Sequence, residues 1–187
     1  MSTQRPTPGP TPGPTPGPTP GQTVGPFFGY ALPFEGDSEL VPAGHPAAVR
    51  LHGTVYDGAG APVPDALLEI WQPDAGGNVV QEPGSLHRDG HTFTGWGRAA
   101  TDNAGHYSFT TIEPGNGFFA MTVFARGLLD RLFTRVYLDA ADPFLATLAE
   151  DRRSTLVAAR EDGGLRFDVH LQGERETVFL AYPGQPS

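Results

Sequence analysis

The stretch FFAMTVFARGLLDRLFTRVYL, residues 118–138, decides the fold class of this chain. It begins with an apolar and β-branched run, Phe118 to Ala125, and returns after a short bend through a second run, Leu132 to Leu138. Runs of this length and composition predict two strands of a hairpin. Because both faces of each run are largely apolar, we expect the hairpin to lie inside a sandwich or beneath another chain.

Arg126 is the exception in this stretch, since it follows the first apolar run with a permanent positive charge. An arginine at the end of so apolar a strand requires an anion, a carboxylate partner or open water. For an arbitrary arginine, a surface ion pair is the commoner arrangement. The stretch itself leaves both an ion pair and an anion-binding role open.

The composition favours one acidic domain with many turns. The chain has 187 residues, 25 glycines, 20 prolines, no cysteine and a formal net charge of −9. This length is enough to bury a core, whereas the negative charge argues against a nucleic-acid partner. The absence of cysteine excludes disulfides and zinc sites of the cysteine type. Since no apolar run approaches the roughly 20 residues of a membrane span and no signal peptide is evident, we expect a cytoplasmic protein without a membrane partner.

The chain divides by composition into three parts. Residues 1–21 contain the repeat PTPGPTPGPTPGPTPG, which suits neither a helix nor a sheet, and we expect a disordered tail. Residues 22–46 form an arm that adds aromatic residues to glycine and proline. Because several exposed aromatic residues are unfavourable in a loose arm, we expect the arm to dock on a partner chain, with packing on its own domain as the alternative. Residues 47–187 are predicted to form a β-sandwich domain.

Short β-rich runs alternate with Gly, Pro and Asp turns along the predicted domain. Outside the hairpin, strands are predicted at 47–56, 66–72, 95–100, 106–112, 155–160, 165–171 and 177–181. A long polar loop, 73–94, and one short helix, 142–150, interrupt them, with Asp142 as the cap of the helix. Many short strands at this spacing predict an all-β sandwich with long loops.

Two blocks of this region carry a family resemblance. They are GTVYDGAGAPVPDALLEIWQPDAGG, residues 53–77, and GRAATDNAGHYSFTTIEPG, residues 97–115. Both resemble the intradiol ring-cleavage dioxygenases, and a weaker form of the pattern also occurs in prealbumin-like binding modules. The resemblance implies a β-sandwich of the intradiol dioxygenase, prealbumin-like type.

Three further features narrow the resemblance to family members that are built from two kinds of chain. They are QTVGPF at 22–27, FARG at 124–127 followed by TRVY at 134–137, and FDVHLQGERETVFLAY at 167–182. All three are similar to the α chain of such enzymes, which pairs with an iron-holding β chain. The resemblance covers residues 22–182, nearly all of the chain outside the repeat.

Catalytic chains of this family hold a non-haem ferric ion with two tyrosinates and two histidines, and anionic oxygen donors suit so hard an ion. The resemblance places the first tyrosine in the loop 73–95, which contains none, and the second directly after Pro114-Gly115, where Asn116 follows. It places the histidines at Phe118 and Ala120. These vestigial ligand positions predict that this chain binds no metal, that the β chain holds the Fe³⁺, and that Phe118 fills the vacated space.

The other histidines are weak candidates for metal ligands. His87 and His91 lie four residues apart, with Asp89 between them as a loose third donor. This spacing suits a metal when both histidines lie on a helix, but the glycine-containing loop predicts no helix there. The remaining histidines and the tyrosines follow strand or turn patterns, and packing or ordinary hydrogen bonds account for them.

The resemblance also implies a role at the boundary between the two chains. Arg126 matches an arginine, and Thr23, Gly25 and Pro26 match arm residues, with which the α chain closes one wall of the substrate site on its partner. The implied substrate, protocatechuate, is anionic and suits a nearby guanidinium. The resemblance thus implies substrate binding by these four residues, ring cleavage with O₂ in a hetero-oligomer, and no catalytic residue in this chain alone.

Two alternatives to the two-chain enzyme stay open. A stand-alone prealbumin-like binding module would need no partner chain, and a self-sufficient dioxygenase would bind ferric iron with atypical ligands. The aromatic arm and Arg126 favour the two-chain enzyme. Co-purification with a β chain and the iron content of the isolated chain distinguish the three hypotheses.

Overall fold

The computed structural model describes residues 23, 25, 28–80 and 88–182, and within these ranges strands dominate. The strands are β1 (Val49–Tyr56), β2 (Leu67–Trp71), β3 (Trp96–Ala100), β4 (His106–Thr111), β5 (Phe118–Phe124), β6 (Leu132–Tyr137), β7 (Ala159–Glu161), β8 (Gly164–Arg166) and β9 (Val169–His170). The helical pieces are α1 (Phe28–Ala31), a 3₁₀ helix (Leu145–Thr147) and α2 (Glu150–Ser154). The predicted all-β class is confirmed.

The strands form two sheets that share one core. A four-stranded antiparallel sheet has the order β3-β2-β5-β6, and a second sheet has the order β4-β1-β8-β7, with β9 also paired to β1. Both sheets contribute fully buried side chains to the same cluster, among them Leu51, Phe109, Leu165, Leu68, Phe119 and Met121. Two sheets packed face to face around a common core make the predicted β-sandwich.

The predicted hairpin of residues 118–138 is confirmed as β5 and β6, which pair from Phe118↔Tyr137 to Val123↔Leu132. Side chains of β5 alternate between fully buried and half-buried positions along the strand. One face of the hairpin thus lies inside the sandwich, as expected, and cover of the other face by another chain stays a prediction. Only one face of the four-stranded sheet meets the core, because a strand sends successive side chains to opposite faces.

The predicted strand 165–171 is wrong as one strand, because it divides into β8 and β9. The Asp168 side chain causes the division: its Oδ1 accepts a hydrogen bond from the backbone N–H of Thr54 at 3.0 Å and so replaces a backbone acceptor. Phe167, beside it, keeps a backbone bond to β1, and its carbonyl accepts the hydroxyl of buried Tyr107. The chain crosses Gly53 at this point so closely that any side chain there would collide with the carbonyl oxygen of Phe167.

Two other predicted strands are shorter than expected or absent. Of residues 155–160, only the end belongs to a strand, β7, while Val157 makes a single bridge to Tyr137. Residues 177–181 form no strand, although the backbone N–H of Leu180 donates to the carbonyl of Phe133 at 2.7 Å. Both segments therefore reach β6 through isolated contacts and not through a continuous ladder.

The predicted helix 142–150 is wrong in extent. Asp142 does bind the backbone, since its Oδ1 accepts the N–H of Phe144 at 2.8 Å, but only a 3₁₀ turn follows. The Arg153 side chain donates to the carbonyls of Leu145 and Leu148 at 2.9 and 3.2 Å. A side chain thus satisfies carbonyls that a continuous helix would use internally, and the α-helix begins only at Glu150.

The described part of the arm packs on its own sandwich. Phe34 stacks on Trp96, with ring centroids 6.2 Å apart, and Leu40 joins the core cluster. Arg98 donates to the carbonyl of Leu32 at 2.7 Å. Tyr30, in contrast, is 86% exposed.

None of the helices in the described ranges is long and apolar enough to cross a membrane.

Substitution of Gly53 tests the close crossing of β1 and residue 167. We expect Gly53→Ala to lower the free energy of unfolding by about 2–3 kcal/mol, because the new methyl group must displace backbone. Gly163→Ala is the matched control, since no heavy atom lies within 4 Å of the methyl group it adds. Urea unfolding monitored by circular dichroism compares the two variants, and equal stability would contradict the crossing.

Candidate functional site

Arg126 lies where β5 ends and the chain turns. Its neighbour Ala125 is buried, and Gly127 adopts a left-handed conformation with φ of 92°. The Arg126 side chain is 61% exposed, and its Nη2 lies 2.6 Å from Oδ2 of Asp65. Within this chain, the arginine is therefore part of a surface ion pair, the commoner of the two arrangements that its sequence context left open.

Asp65 sits on a segment that the buried side chain of Thr101 holds from both ends. The Thr101 hydroxyl donates to the carbonyl of Val63 at 2.8 Å and accepts the backbone N–H of Ala66 at 2.9 Å. The backbone N–H of Thr101 also donates to the carbonyl of Ala66. The carboxylate of the pair thus projects from fixed backbone, whereas Arg126 projects from a turn.

The ion pair lines a cavity of about 380 Å³ between the arm and the four-stranded sheet. Gly29 and Tyr30 of the arm form one side, and Asp65, Thr101 and Arg126 are part of the other. The fold consequently brings the arm and Arg126 together, although almost one hundred residues separate them in sequence.

The other three predicted substrate-contacting residues belong to the start of the arm. Thr23 is exposed, and Gly25 is half-buried in a left-handed conformation with φ of 73°. Pro26 lies outside the described residues. A side chain at Gly25 would meet no described heavy atom of this chain within 4 Å.

The two vestigial ligand positions lie on the outer face, the side of the four-stranded sheet that points away from the core. Phe118 and Ala120 alternate there with the buried residues of β5. The ring of Phe118 lies 5.4 Å from that of Tyr137, and the guanidinium of Arg135 lies 4.4 Å above it. Arg135 also donates to the hydroxyl of Tyr137 at 3.1 Å. Phe118 thus packs between Tyr137 and Arg135, and its role in filling a vacated metal site stays a prediction.

Arginines cover aromatic rings at several places on the outer face. Besides Arg135 on Phe118, the guanidinium of Arg131 lies 4.9 Å from the Phe133 ring, and that of Arg98 lies 5.1 Å from the Trp96 ring. Partial burial lowers the pKa of Arg135, but the hydrogen bond to Tyr137 and the electrostatic attraction of Tyr137, Tyr182 and Asp142 together outweigh it and leave that pKa above its ordinary value. The face is therefore positively charged at the vestigial positions.

This donor set does not fit a ferric ion. Phe118 and Ala120 offer no donor atom, and the charged Arg135 beside them would repel a trivalent cation. A tight turn connects β4 to β5, in which Gly117 N–H donates to the carbonyl of Pro114 at 3.0 Å, so no loop remains to carry a tyrosine. Across the described ranges, no cluster of three or more His, Cys, Asp or Glu side chains could hold a metal.

Of the alternative metal candidates, the structure describes Asp89 and His91. Asp89 accepts hydrogen bonds from the backbone N–H groups of His91 and Thr92 and from the Thr92 hydroxyl. These bonds, that of the hydroxyl foremost, hold the pKa of Asp89 well below its ordinary value. The carboxylate organises a turn, and His87 lies outside the described residues.

Sequence reasoning missed Asp65 as the partner of Arg126. Nothing in the pattern of residues 63–66 distinguishes this aspartate from the other turn aspartates of the chain. It also missed the arginines that cover the outer face. The contact of Arg135 with Phe118 depends on strand register, because Phe118 faces Tyr137 and Ala120 faces Arg135 across β5 and β6. Arg98 and Arg131, in contrast, each lie two residues from the ring that they cover, Trp96 and Phe133, so a spacing of two was the signal that could have found them.

Comparison with known proteins agrees with this geometry. A family model described as "Dioxygenase" matches residues 23–120. The protocatechuate 3,4-dioxygenase alpha chain of Burkholderia cepacia is 38% identical over 151 residues, which cover 71% of this chain and 76% of the relative. The beta chain of the same organism is 31% identical over 167 residues, covering 72% of this chain and 69% of the relative.

A solved structure shows the same fold. The dioxygenase domain of a dioxygenase–carbohydrate-binding protein fusion from Streptomyces sp. SirexAA-E superimposes with a TM-score of 0.52 and 25% identity, covering 83% of this chain and 99% of that domain. The match of the family model to more than half of the residues, together with the identity to the alpha chain, is decisive. This chain belongs to the dioxygenase family, within the intradiol ring-cleavage group that its sequence motifs indicate.

Proposed function

We propose that this chain is the non-iron-binding α subunit of a protocatechuate 3,4-dioxygenase. With its β chain it forms the enzyme that cleaves protocatechuate with O₂ between the two hydroxylated carbons, giving 3-carboxy-cis,cis-muconate. The greater identity to an alpha chain than to a beta chain supports this assignment. The isolated chain is accordingly inactive.

One observation carries the proposal. The chain keeps the fold of its family, yet Phe118 and Ala120 stand where the resemblance puts the histidine ligands, and the cation of Arg135 lies beside them. A subunit with this face contributes to an iron enzyme from outside the coordination sphere. In the proposed complex the β chain holds the Fe³⁺, which when bound supplies the activation of the catechol for reaction with O₂.

The outer face is the proposed binding surface for the β chain. Its aromatic residues are large and incompletely covered: Trp71 is 48% exposed, Phe118 and Phe133 are half-buried, and the ring of Tyr182 packs 5.4 Å from that of Phe133. Aromatic and arginine side chains of this kind are enriched in protein interfaces. A partner on this face would also complete the burial that the apolar sequence of β5 predicts.

Arg126 supplies the proposed contribution to substrate binding. Its guanidinium is exposed at the cavity that the arm borders, so it can meet an anion held by a neighbouring chain. A permanent cation at the mouth of the site attracts and orients anionic protocatechuate. The arm is proposed to line the same mouth of the site with Thr23, Gly25 and Pro26. There it would donate or accept hydrogen bonds and bring its backbone close to the substrate.

Removal of the guanidinium tests this role. In the α/β complex, we expect Arg126→Ala to lower kcat/KM for protocatechuate about 10- to 100-fold, mainly through KM, because charge complementarity acts on capture. Arg160→Ala is the matched control: Arg160 is 58% exposed and lies 2.6 Å from Glu113, an equivalent ion pair on β7. Unchanged kinetics for both variants would refute the role of Arg126.

Measuring iron content tests the proposal that the β chain, and not this chain, binds the iron. We expect this chain, expressed alone, to contain no stoichiometric iron by atomic absorption, and we expect iron and activity to appear when a β chain is co-expressed. Stoichiometric ferric iron in the isolated chain would instead show a self-sufficient dioxygenase. A stable monomer that does not co-purify with a β chain would favour the stand-alone binding module.

Two truncations test the arm. We expect deletion of residues 1–20 to leave kcat/KM unchanged, because it removes only the repeat. Deletion of residues 1–26 also removes Thr23, Gly25 and Pro26 but keeps the buried Phe28 of α1. We expect this second truncation to raise KM or weaken assembly, as measured by steady-state kinetics and size-exclusion chromatography. Equal behaviour of both truncations would contradict an arm that reaches the site.

A further inference from the structure

We propose that Asp65 is a positioning residue, which holds the guanidinium of Arg126 in the orientation that receives the carboxylate of the substrate. This inference rests on the proposed function of Arg126 and adds to it a second residue of this chain. Asp65 touches neither substrate nor cofactor in the proposal. It acts only through the arginine.

The ion pair is asymmetric in a way that suits this role. Asp65 is the better-buried member, 25% exposed against 61% for Arg126. Its backbone segment is held at Val63 and Ala66 by Thr101, as described above. Arg126 has a long side chain and lies between a buried strand end and a glycine turn. Asp65, whose backbone is fixed, therefore orients the longer and more exposed side chain of Arg126.

The chemistry of the guanidinium allows it to serve two carboxylates. It has five N–H donors in a planar fork, and they point along more than one edge. The close contact with Asp65 is made by Nη2, at 2.6 Å. The N–H donors that point away from Asp65 are able to bind a second anion. Two such donors of one guanidinium commonly form parallel hydrogen bonds to a carboxylate.

Fixing the side chain beforehand favours capture of the substrate. A long, exposed arginine loses rotamer freedom when it binds an anion, and this loss weakens binding. In the structure the ion pair has already restricted Arg126 towards the cavity beside Gly29 and Tyr30. The arginine is thus preorganised, which is how polar groups in binding sites gain strength.

The negative charge of Asp65 and its positioning of Arg126 affect substrate affinity in opposite directions. The proposal therefore predicts the direction in which the affinity changes when Asp65 is replaced. A carboxylate near the site repels anionic protocatechuate, so its neutralisation would by charge alone tighten binding. Positioning predicts the reverse: loss of the carboxylate weakens binding. The direction of the change distinguishes a residue that positions Arg126 from one that competes with the substrate for it.

The experiment uses the α/β complex and measures the dissociation constant of protocatechuate by calorimetry without O₂, so that no turnover occurs. We expect Asp65→Asn to weaken binding about 3- to 10-fold, with kcat nearly unchanged at saturating substrate. Asp65→Glu restores the charge and should recover most of the affinity. Glu113→Gln breaks the equivalent pair at Arg160 and should change nothing. Thermal unfolding of each complex confirms assembly, and Asp65→Ser replaces Asp65→Asn if that variant does not assemble.

A double variant separates this inference from the proposed function. In an Arg126→Ala background, Asp65→Asn should have no further effect, because nothing is left to position. If Arg126→Ala weakens binding but Asp65→Asn leaves it unchanged or tightens it, the inference is overturned while the function of Arg126 stands. If Arg126→Ala itself has no effect on binding, the proposed function fails and the inference fails with it.

Discussion

The pleat of β5 is the constraint on which both the core and the candidate site depend. Because successive side chains of a strand point to opposite faces, burying Phe119, Met121 and Val123 in the core forces Phe118 and Ala120 onto the outer face. Arg126 follows the last residue of the same strand by two positions and therefore lies where β5 leaves the sheet. A shift of one residue would exchange core and surface, so the register of this hairpin sets the position of every residue in the proposed function.

The outer face shows that the sandwich does not depend on metal-donor side chains at Phe118 and Ala120. Both residues lie outside the cluster that the two sheets share, so the residue types at these positions contribute little to the packing of the sheets. Arg135 lies over the Phe118 ring and is bonded to the Tyr137 hydroxyl. A cation and an aromatic ring attract each other at such a distance, which gives this face a stable arrangement and an electrostatic barrier to ferric iron.

The proposed contribution to catalysis is therefore electrostatic and external. The chain carries a net charge of −9, yet it presents one exposed arginine beside the arm and a row of arginines over the aromatic outer face. Clustering cations locally in an acidic chain matters more for an anionic substrate than net charge does, because exposed charges act over about a Debye length. The ion pair with Asp65 is weak in stability terms, and its importance lies in orientation.

The fold class followed from the sequence because alternation and turn residues are local signals. The hairpin and the strands near 49–56, 67–71, 96–100 and 106–111 could all be predicted from it. The helix at 142–150 and the strand at 165–171 could not, because Arg153 and Asp168 replace backbone partners with side chains that come from elsewhere in the fold. Motifs also drew attention to Arg126, whose proposed role stays a prediction, but its neighbours were decided by tertiary structure.

The sequence by itself determined the family and the sandwich, since both follow from the order and spacing of residue types. Only the tertiary structure decided that Asp65 meets Arg126, that the arm borders the same cavity, and that Arg135 covers Phe118. These contacts join residues that are distant in the chain or on different strands. Their distances depend on strand register and sheet packing, which no local pattern encodes.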